Sequence, residues 1–161
     1  MIERVTVHHY FNRDIGWLEL RTSSKGVRSI SYMAGKSAPS SGASPCQDPI
    51  MAQLVNELDS YFSGELKTFT VPLDPSGTSF QRSVWEELFR IPYGTTRSYG
   101  QVARSLGNAR AARAVGSANH CNPIPILVPC HRVISSDGSI GGYASGLDIK
   151  RALLNLEGVE F

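Results

Sequence analysis

The fold of this chain is decided by residues 98–118, which carry the sequence SYGQVARSLGNARAARAVGSA. Ser98 can cap a short helix over residues 99–106, because a serine hydroxyl accepts hydrogen bonds from the first backbone amides of a helix. Gly107-Asn108 predicts a turn, since glycine is common just beyond a helix C-terminus. A second helix is predicted over residues 109–118. Two helices joined by a tight turn predict a helix-turn-helix.

The second predicted helix carries alanine, glycine, serine, one valine and two arginines. Arg110 and Arg113 lie one turn apart and share a face. Small side chains allow close approach to another surface, either a neighbouring helix or a groove of DNA. A major-groove reader usually offers several amide and basic side chains to base edges. The composition therefore favours phosphate contacts and a shallow approach to the minor groove, and packing on a neighbouring helix stays the alternative.

Charge is unevenly distributed, although the 161-residue chain has a formal net charge of only +2. Residues 88–136 contain no acid and no lysine. Their basic residues are Arg90, Arg97, Arg104, Arg110, Arg113 and Arg132. An acid-free basic stretch suggests an anionic partner, with nucleic acid first. The alternative is a solvated surface that acids elsewhere in the fold balance.

The N-terminal part predicts a sheet and a helix. Alternating apolar and polar residues predict strands at residues 5–7, 17–21 and 27–33, joined as an antiparallel meander. Residues 34–48 are rich in Ser, Pro, Gly and Ala and predict a surface loop with Cys46 exposed. Helical spacing over residues 50–62 predicts an amphipathic helix that ends at Gly64.

A boundary is predicted near residue 76, which separates an N-terminal lobe (1–76) from a C-terminal lobe (77–161). Thr78 or Ser79 can cap the first helix of the second lobe. The predicted buried face of this helix is formed by Phe80, Val84, Trp85, Leu88 and Phe89.

Pro129-Cys130-His131-Arg132 places a thiol beside a base and a cation. A free thiol ionises near pH ~8.5, and only the thiolate is a strong nucleophile. A neighbouring base or cation activates such a thiol. Cys130 is therefore a candidate nucleophile, and from these residues alone an inert buried thiol is the alternative.

Three scattered cysteines do not form a disulfide framework, which favours a reducing cytosol. The chain has neither a C-x-x-C nor an H-x-x-x-H pair, so we expect no metal site. It also has no run of ~18 apolar residues and no signal-peptide pattern, so we expect a cytoplasmic protein without a membrane segment.

A series of motifs in the C-terminal half resembles the O6-alkylguanine-DNA alkyltransferases, also called methylated-DNA–protein-cysteine methyltransferases. The motifs are IPYG (91–94), SYGQVA (98–103), ARAVG (112–116), NP (122–123), PCHRVI (129–134), GY (142–143) and KRALLNLEG (150–158). The resemblance implies an α/β plus α fold. It consists of a small ribonuclease-H-like antiparallel sheet with a helix, and then a helical, winged-helix-like lobe with the helix-turn-helix.

The resemblance implies direct reversal of DNA damage without a cofactor. The protein would bind double-stranded DNA that carries O6-alkylguanine, flip the damaged nucleotide, and move the alkyl group to Cys130 once. O4-alkylthymine is a possible second substrate. A monomer associated with the nucleoid is implied, and cooperative binding along DNA is left open.

The resemblance also assigns roles around the thiol. Cys130 is the nucleophile, and His131 is its base through a bridging water. Glu157 orients His131 and favours its charged form. Tyr99 crowds the phosphate beside the target nucleotide and donates a proton towards the leaving guanine. Asn122 ties the end of the DNA-binding helix to the strand that carries Cys130.

For DNA binding, Arg113 matches the family's arginine finger, which fills the gap left by the flipped base. Further expected DNA contacts are Arg110, Ala112, Ser98 and Tyr99. The expected base pocket consists of Val133, Tyr143, Ala144, Gly142 and Pro125, with the backbone carbonyls of Cys130 and Val133 accepting from the guanine amine. Ala144 stands where many relatives have serine, which leaves the polarisation of O6 open.

Two other functions stay open from the residues alone. A non-catalytic DNA-binding module would need the helix-turn-helix but not Cys130. A cysteine hydrolase would use Cys130 and His131 but has no need of the acid-free arginine stretch.

Overall fold

A computed structural model describes residues 2–33 and 47–161. The chain divides into two compact units, Met1–Pro75 and Ser76–Phe161. Most of the predicted loop at 34–48, including Cys46, lies outside the described residues. Within the described part of the chain, no helix is both long enough and apolar enough to cross a membrane.

The first unit contains a three-stranded antiparallel sheet and one helix, as predicted. Its elements are β1 (Thr6–Asn12), β2 (Gly16–Thr22), β3 (Val27–Tyr32) and α1 (Pro49–Phe62), with strand order β1-β2-β3. Asp48 caps α1 by accepting from the amides of Ile50 and Met51. Leu54 and Leu58 of α1 and Leu18 of β2 are wholly buried and contribute to the core of this unit.

The second unit is mainly helical. Its elements are α2 (Ser79–Phe89), β4 (Arg97–Ser98), α3 (Tyr99–Ser105), α4 (Ala112–His120), a 3₁₀ helix (Cys130–Arg132), β5 (Val133–Ile134) and α5 (Leu147–Leu156). The two short strands β4 and β5 pair in parallel. This pairing brings the start of α3 beside the segment that follows Cys130.

The predicted buried face of α2 is correct only in its centre. Val84, Trp85 and Leu88 are buried, whereas Phe80 and Phe89 are 42% and 44% exposed. Both phenylalanines lie in the terminal turns of the helix, while the central turns carry the core contacts. Thr78 forms a capping box with Gln81, which fixes the start of α2 where the sequence predicts it.

The helix-turn-helix is present as α3 and α4, but α4 begins at Ala112 rather than at residue 109. The side-chain oxygen of Asn108 accepts from the backbone amide of Arg110, and the main-chain carbonyl of Asn108 accepts from the backbone amide of Ala111. These local bonds form a turn that competes with helix over residues 109–111. Arg110 therefore lies in the turn before α4, and Arg113 lies in the first turn of the helix.

Packing on a neighbouring helix, the alternative expectation for the small-residue helix, is confirmed for one face of α4. Val115, Ala118 and Asn119 of α4 are buried, and the indole of Trp85 donates to the carbonyl of Ala118 over 2.9 Å. Arg113 is exposed on the remaining surface. One face of α4 thus packs on α2, and another is open to a ligand.

Candidate active site

Cys130 is the first residue of the 3₁₀ helix, so the prediction that a strand carries it is wrong. The strand β5 begins three residues later, at Val133. Consecutive side chains on a 3₁₀ helix point about 120° apart. The thiol of Cys130 and the imidazole of His131 therefore face different surroundings.

The segment before Cys130 is held by the side chain of Asn122. Its amide nitrogen donates to the carbonyl of Val128 over 2.8 Å, and its oxygen accepts from the amide of Ile124 over 3.0 Å. Between them, the wholly buried Ile126 has a φ of 75°, which is rare for a β-branched residue. Such strain persists only where the surroundings fix the backbone, so Cys130 follows a rigid segment.

Behind Cys130 lies a buried cluster of charged side chains formed by His131, Arg132 and Glu157. His131 Nε2 lies 2.8 Å from Glu157 Oε1, and it carries the proton because a carboxylate can only accept. Arg132 Nε donates to Oε2 over 2.9 Å, and Arg132 Nη2 donates to Oε1 over 2.8 Å. Arg132 Nη1 donates to the carbonyl of Ile91 over 2.7 Å. Both oxygens of the carboxylate are therefore engaged by these two side chains.

The cluster fixes the protonation of Glu157 and His131. Burial alone would raise the pKa of Glu157, but hydrogen bonds from His131 and Arg132 and their charges together lower it to about 2. Burial lowers the pKa of His131, and Arg132 adds to that effect, although Glu157 opposes it. The expected preference of Glu157 for a charged His131 is thus outweighed by burial. The resting imidazole is neutral, and its buried Nδ1 has no hydrogen-bond partner within residues 2–33 and 47–161.

Cys130 is buried, with only 4% of the residue exposed. Burial raises the pKa of this thiol, while hydrogen bonds from Asn122 and Tyr143 and the charge of Lys150 partly offset the rise. Its sulfur lies 3.9 Å from the hydroxyl oxygen of Tyr143. A protonated resting thiol of this kind needs a base before it can act as a nucleophile.

Cys130 opens on a cavity of about 380 Å³, a size typical of small-molecule sites. Seven of the site residues predicted from the sequence meet there: Tyr99, Asn122, Pro125, Cys130, Gly142, Tyr143 and Ala144. Burial and the neighbouring Cys130 raise the pKa of Tyr99, so its hydroxyl keeps its proton. The cavity thus joins a nucleophile and a proton donor beside an aromatic wall.

Other predicted site residues lie outside this cavity. Val133 is buried, and its carbonyl accepts from the ammonium of Lys150. Ser98 caps α3, where its hydroxyl accepts from the amide of Gln101. Ala112 begins α4 and is half-buried.

Five residues that sequence reasoning did not select belong to this region, and two of them, Gly116 and His120 of α4, line the cavity. Lys150 is wholly buried, and Nζ donates to the carbonyls of Val133 and Gly142. Asn119 Nδ2 lies 3.4 Å from the carbonyl oxygen of Cys130, and Ser145 lines the cavity beside Ala144. For Lys150 the sequence does hold a signal: Leu153 and Leu154 follow it by three and four residues, which places a lysine on the apolar face of α5.

Comparisons with known proteins agree with this geometry. The family model of the 6-O-methylguanine DNA methyltransferase DNA-binding domain matches residues 79–159, and that of its ribonuclease-like domain matches residues 6–75. A methylated-DNA–protein-cysteine methyltransferase of Methanosarcina acetivorans is 48% identical over 151 residues, which are 92% of this chain and 96% of the relative.

Two solved structures are similar to this chain over nearly its whole length. The O6-methylguanine methyltransferase of Mycobacterium tuberculosis aligns with a TM-score of 0.81 and 44% identity, over 96% of this chain and 93% of that one. The OGT protein of the same organism, in complex with DNA, aligns with a TM-score of 0.80 and 43% identity, over 95% of this chain and 91% of that one.

Proposed function

Since the chain belongs to the 6-O-methylguanine DNA methyltransferase family, we propose that it repairs O6-alkylguanine in duplex DNA by accepting the alkyl group on Cys130. The protein is a methylated-DNA–protein-cysteine methyltransferase, and each molecule acts once. The observation that carries the assignment of Cys130 is its position between the cavity and the buried His131–Glu157 pair. A cysteine so placed has both a substrate space and a base.

We assign the proton transfers to His131 and Tyr99. The thiol proton of Cys130 passes, through a water, to the free Nδ1 of His131, while Nε2 donates to the carboxylate of Glu157. The sulfur then forms a bond to the alkyl carbon as the bond from that carbon to O6 breaks. The electron pair of the broken bond stays with guanine, which takes a proton from Tyr99 and leaves as the neutral base. The product thioether has no hydrolysable bond, which accounts for a single turnover.

We place DNA binding on the helix-turn-helix of the C-terminal lobe (77–161), with the N-terminal lobe (1–76) as its support. Arg113 fills the stack after the base is flipped, because a planar guanidinium can both stack and donate hydrogen bonds. Arg110, Ser98 and Ala112 face the phosphates beside it. We further propose that the protein binds as a monomer, in the cytoplasm where the nucleoid lies, and sedimentation with a lesion duplex tests that stoichiometry.

We propose that the flipped base stacks on Tyr143 within the cavity. The carbonyls of Cys130 and Val133 accept from the exocyclic amine of guanine. The Val133 carbonyl accepts from Lys150 and keeps a second lone pair, whereas the Cys130 carbonyl accepts from the amide of Val133 and from Asn119, so the guanine amine replaces the 3.4 Å contact of Asn119. Gly142 and Pro125 form the walls. At Ala144 only the backbone amide can reach O6, and the hydroxyl of Ser145 is the nearby side-chain donor in the same cavity.

The direct experiment is incubation with a duplex that contains one O6-methylguanine, followed by intact mass and peptide mapping. We expect one methyl group on Cys130. Cys121, the other described free thiol, is exposed and stays unmodified. Cys130→Ala abolishes transfer and keeps DNA binding, while the control Cys121→Ala retains transfer. An unmodified Cys130, or repeated turnover on an ester, contradicts the proposal.

A further inference from the structure

Asn119 places a carboxamide beside Cys130, and part of its hydrogen-bonding capacity is unused. Asn119 is the penultimate residue of α4, lines the cavity and is only 8% exposed. Its Nδ2 lies 3.4 Å from the carbonyl oxygen of Cys130, and its buried Oδ1 has no hydrogen-bond partner among residues 2–33 and 47–161. A buried polar atom that stays unpaired costs free energy. Such an atom on a residue of the cavity wall points to a ligand that pairs with it.

The neighbours of this carboxamide determine its orientation. A carbonyl oxygen can only accept, so the amide atom that faces Cys130 is the nitrogen. The main chain of Asn119 is held in place, because its carbonyl accepts from the amide of Asn122 and the carbonyl of the adjacent Ala118 accepts from the indole of Trp85. The 3.4 Å contact that orients the end of the side chain is longer than most N–H···O bonds, so a ligand can replace it.

The carboxamide can offer a ligand both a donor and an acceptor. Within the described parts of the chain, Nδ2 uses one of its two hydrogens, on Cys130, and Oδ1 uses neither lone pair. The nearby carbonyls of Cys130 and Val133 can only accept. Asn119 can therefore pair with an acceptor on a base, which these two carbonyls cannot do.

Alkylated guanine and alkylated thymine differ at the ring position that follows the alkylated one. When O6 of guanine or O4 of thymine lies at the thiol, the next substituent along the ring is the 2-amino group of guanine or O2 of thymine. The amine donates, whereas O2 only accepts. The carbonyls of Cys130 and Val133 fit the amine, but they would repel O2.

We propose that Asn119 is a specificity-determining residue that reads the 2-position of the flipped base and admits O4-alkylthymine beside O6-alkylguanine. With thymine, Nδ2 keeps its contact with the Cys130 carbonyl and donates its second hydrogen to O2. With guanine, the amine takes the place of Nδ2 at that carbonyl, and the released carboxamide turns so that Oδ1 shares one hydrogen of the same amine. The inference rests on the proposed function, because it names a second substrate of the same site.

The test compares single-turnover methyl transfer to Cys130 from duplexes that contain O6-methylguanine, O4-methylthymine or O6-methylhypoxanthine. In Asn119→Leu, which removes both polar atoms at similar size, we expect the rate on the thymine lesion to fall about tenfold, the usual effect of one lost hydrogen bond. The guanine lesion keeps both carbonyls, so its rate should fall by less than about threefold. The hypoxanthine lesion has only hydrogen at the 2-position and should react at the same rate in both proteins.

Asn119→Asp separates the donor from the acceptor. The two side chains have the same shape, but an ionised aspartate can only accept. We expect the thymine lesion to lose more than about tenfold relative to the guanine lesion. The ratio of the two rates is the readout, because any change in the reactivity of the shared thiol cancels in it. Asn155→Leu and Asn155→Asp make the same changes at an exposed asparagine of α5 and should leave the ratio unchanged.

The outcomes separate this inference from the proposed function. Equal losses on the thymine and guanine lesions in Asn119→Leu, or an unchanged ratio in Asn119→Asp, overturn the inference and leave the proposed function standing. A wild-type protein that accepts a methyl group from O6-methylguanine but not from O4-methylthymine also overturns it. If the wild type accepts no methyl group from O6-methylguanine, the proposed function fails and the inference fails with it. Should Asn119→Leu not fold, the isosteric Asn119→Asp decides the outcome.

Discussion

The arginines of the acid-free stretch divide into two regions with opposite surroundings. Behind the thiol, Arg132 is buried and held by both oxygens of Glu157. On the helix-turn-helix, Arg104, Arg110 and Arg113 are exposed, and no acid among the described residues pairs with them. The same residue type thus stabilises the site in one region and stays available to an anion in the other.

The difference teaches that arginines in an acid-free stretch of sequence can still have acidic neighbours in the folded protein. Arg90 and Arg97 both bind Glu87, which lies just before the acid-free stretch, and Arg132 binds Glu157, which lies well beyond it. Of the six arginines that suggested a DNA partner, three form no ion pair with an acid among residues 2–33 and 47–161. They are the half that lies on the helix-turn-helix.

The largest expected effect comes from removing the buried arginine. Arg132→Met leaves Glu157 buried without its bidentate partner, which typically destabilises a protein by about 3–5 kcal/mol. Urea unfolding measures this loss. Arg90→Met is the matched control, because the Arg90 side chain is exposed and Glu87 keeps Arg97 as a partner, so we expect a loss of about 0–1 kcal/mol. Equal losses in the two variants would remove the distinction between buried and exposed arginines.

A second prediction concerns the stability of the folded protein at low pH, and it tests the buried region alone. The folded pKa of Glu157 is about 2 against an ordinary value of 4.5, so its stabilisation is complete above pH 4.5 and is lost as pH falls towards 2. We expect the stability difference between wild type and Glu157→Gln to shrink across this window, with a slope of up to about 1.4 kcal/mol per pH unit. Glu86→Gln, which changes an exposed carboxylate, is the control. A constant difference would contradict the assigned ionisation.

The third prediction tests the exposed region. Arg113→Ala should reduce repair of O6-methylguanine in duplex DNA about tenfold or more, because base flipping costs a few kcal/mol that the guanidinium helps to offset. Reaction with free O6-benzylguanine should change by less than about twofold, as for other surface substitutions. Single-turnover rates on both substrates give the comparison, with Arg90→Ala as control because Glu87 engages its guanidinium. Parallel losses on both substrates would exclude a role in flipping.

The smallest effect is expected at Arg110, in the turn before α4. Affinity for DNA falls as salt rises, and removing one phosphate contact makes the negative slope of log affinity against log salt concentration shallower by about 0.9. Titration of Arg110→Ala on a lesion-free duplex at several salt concentrations measures this slope. Arg90→Ala, whose guanidinium is engaged by Glu87, should keep the wild-type slope.

Where short-range signals determine an element, the sequence predicted it well. The Ser98–Gln101 and Thr78–Gln81 boxes fix the starts of α3 and α2 because both partners lie within one turn. The predicted start of α4 was wrong because the side chain of Asn108 accepts a hydrogen bond from the amide of Arg110 and so favours a turn. Helical periodicity cannot reveal this competition.

The sequence motifs predicted most of the residues that line the cavity. The protonation states and buried charges around the cavity became visible only in the structure. The neutral state of His131 depends on complete burial, which a Cys-His dipeptide does not reveal. The charge of Lys150 lies beside Val133 because α5 packs against the 3₁₀ helix, which is a tertiary contact. Asn119 and Ser145 have no distinguishing pattern at all.

Both capping boxes close with glutamine rather than glutamate. A glutamate at Gln101 would accept the same hydrogen bond and would interact more favourably with the positive end of α3. It would also place a carboxylate on the helix-turn-helix, within a Debye length of approaching phosphates. The neutral amide gives up part of the local helix stabilisation and avoids repelling the ligand. Helix initiation and polyanion affinity therefore constrain the same residue, and only an uncharged cap satisfies both.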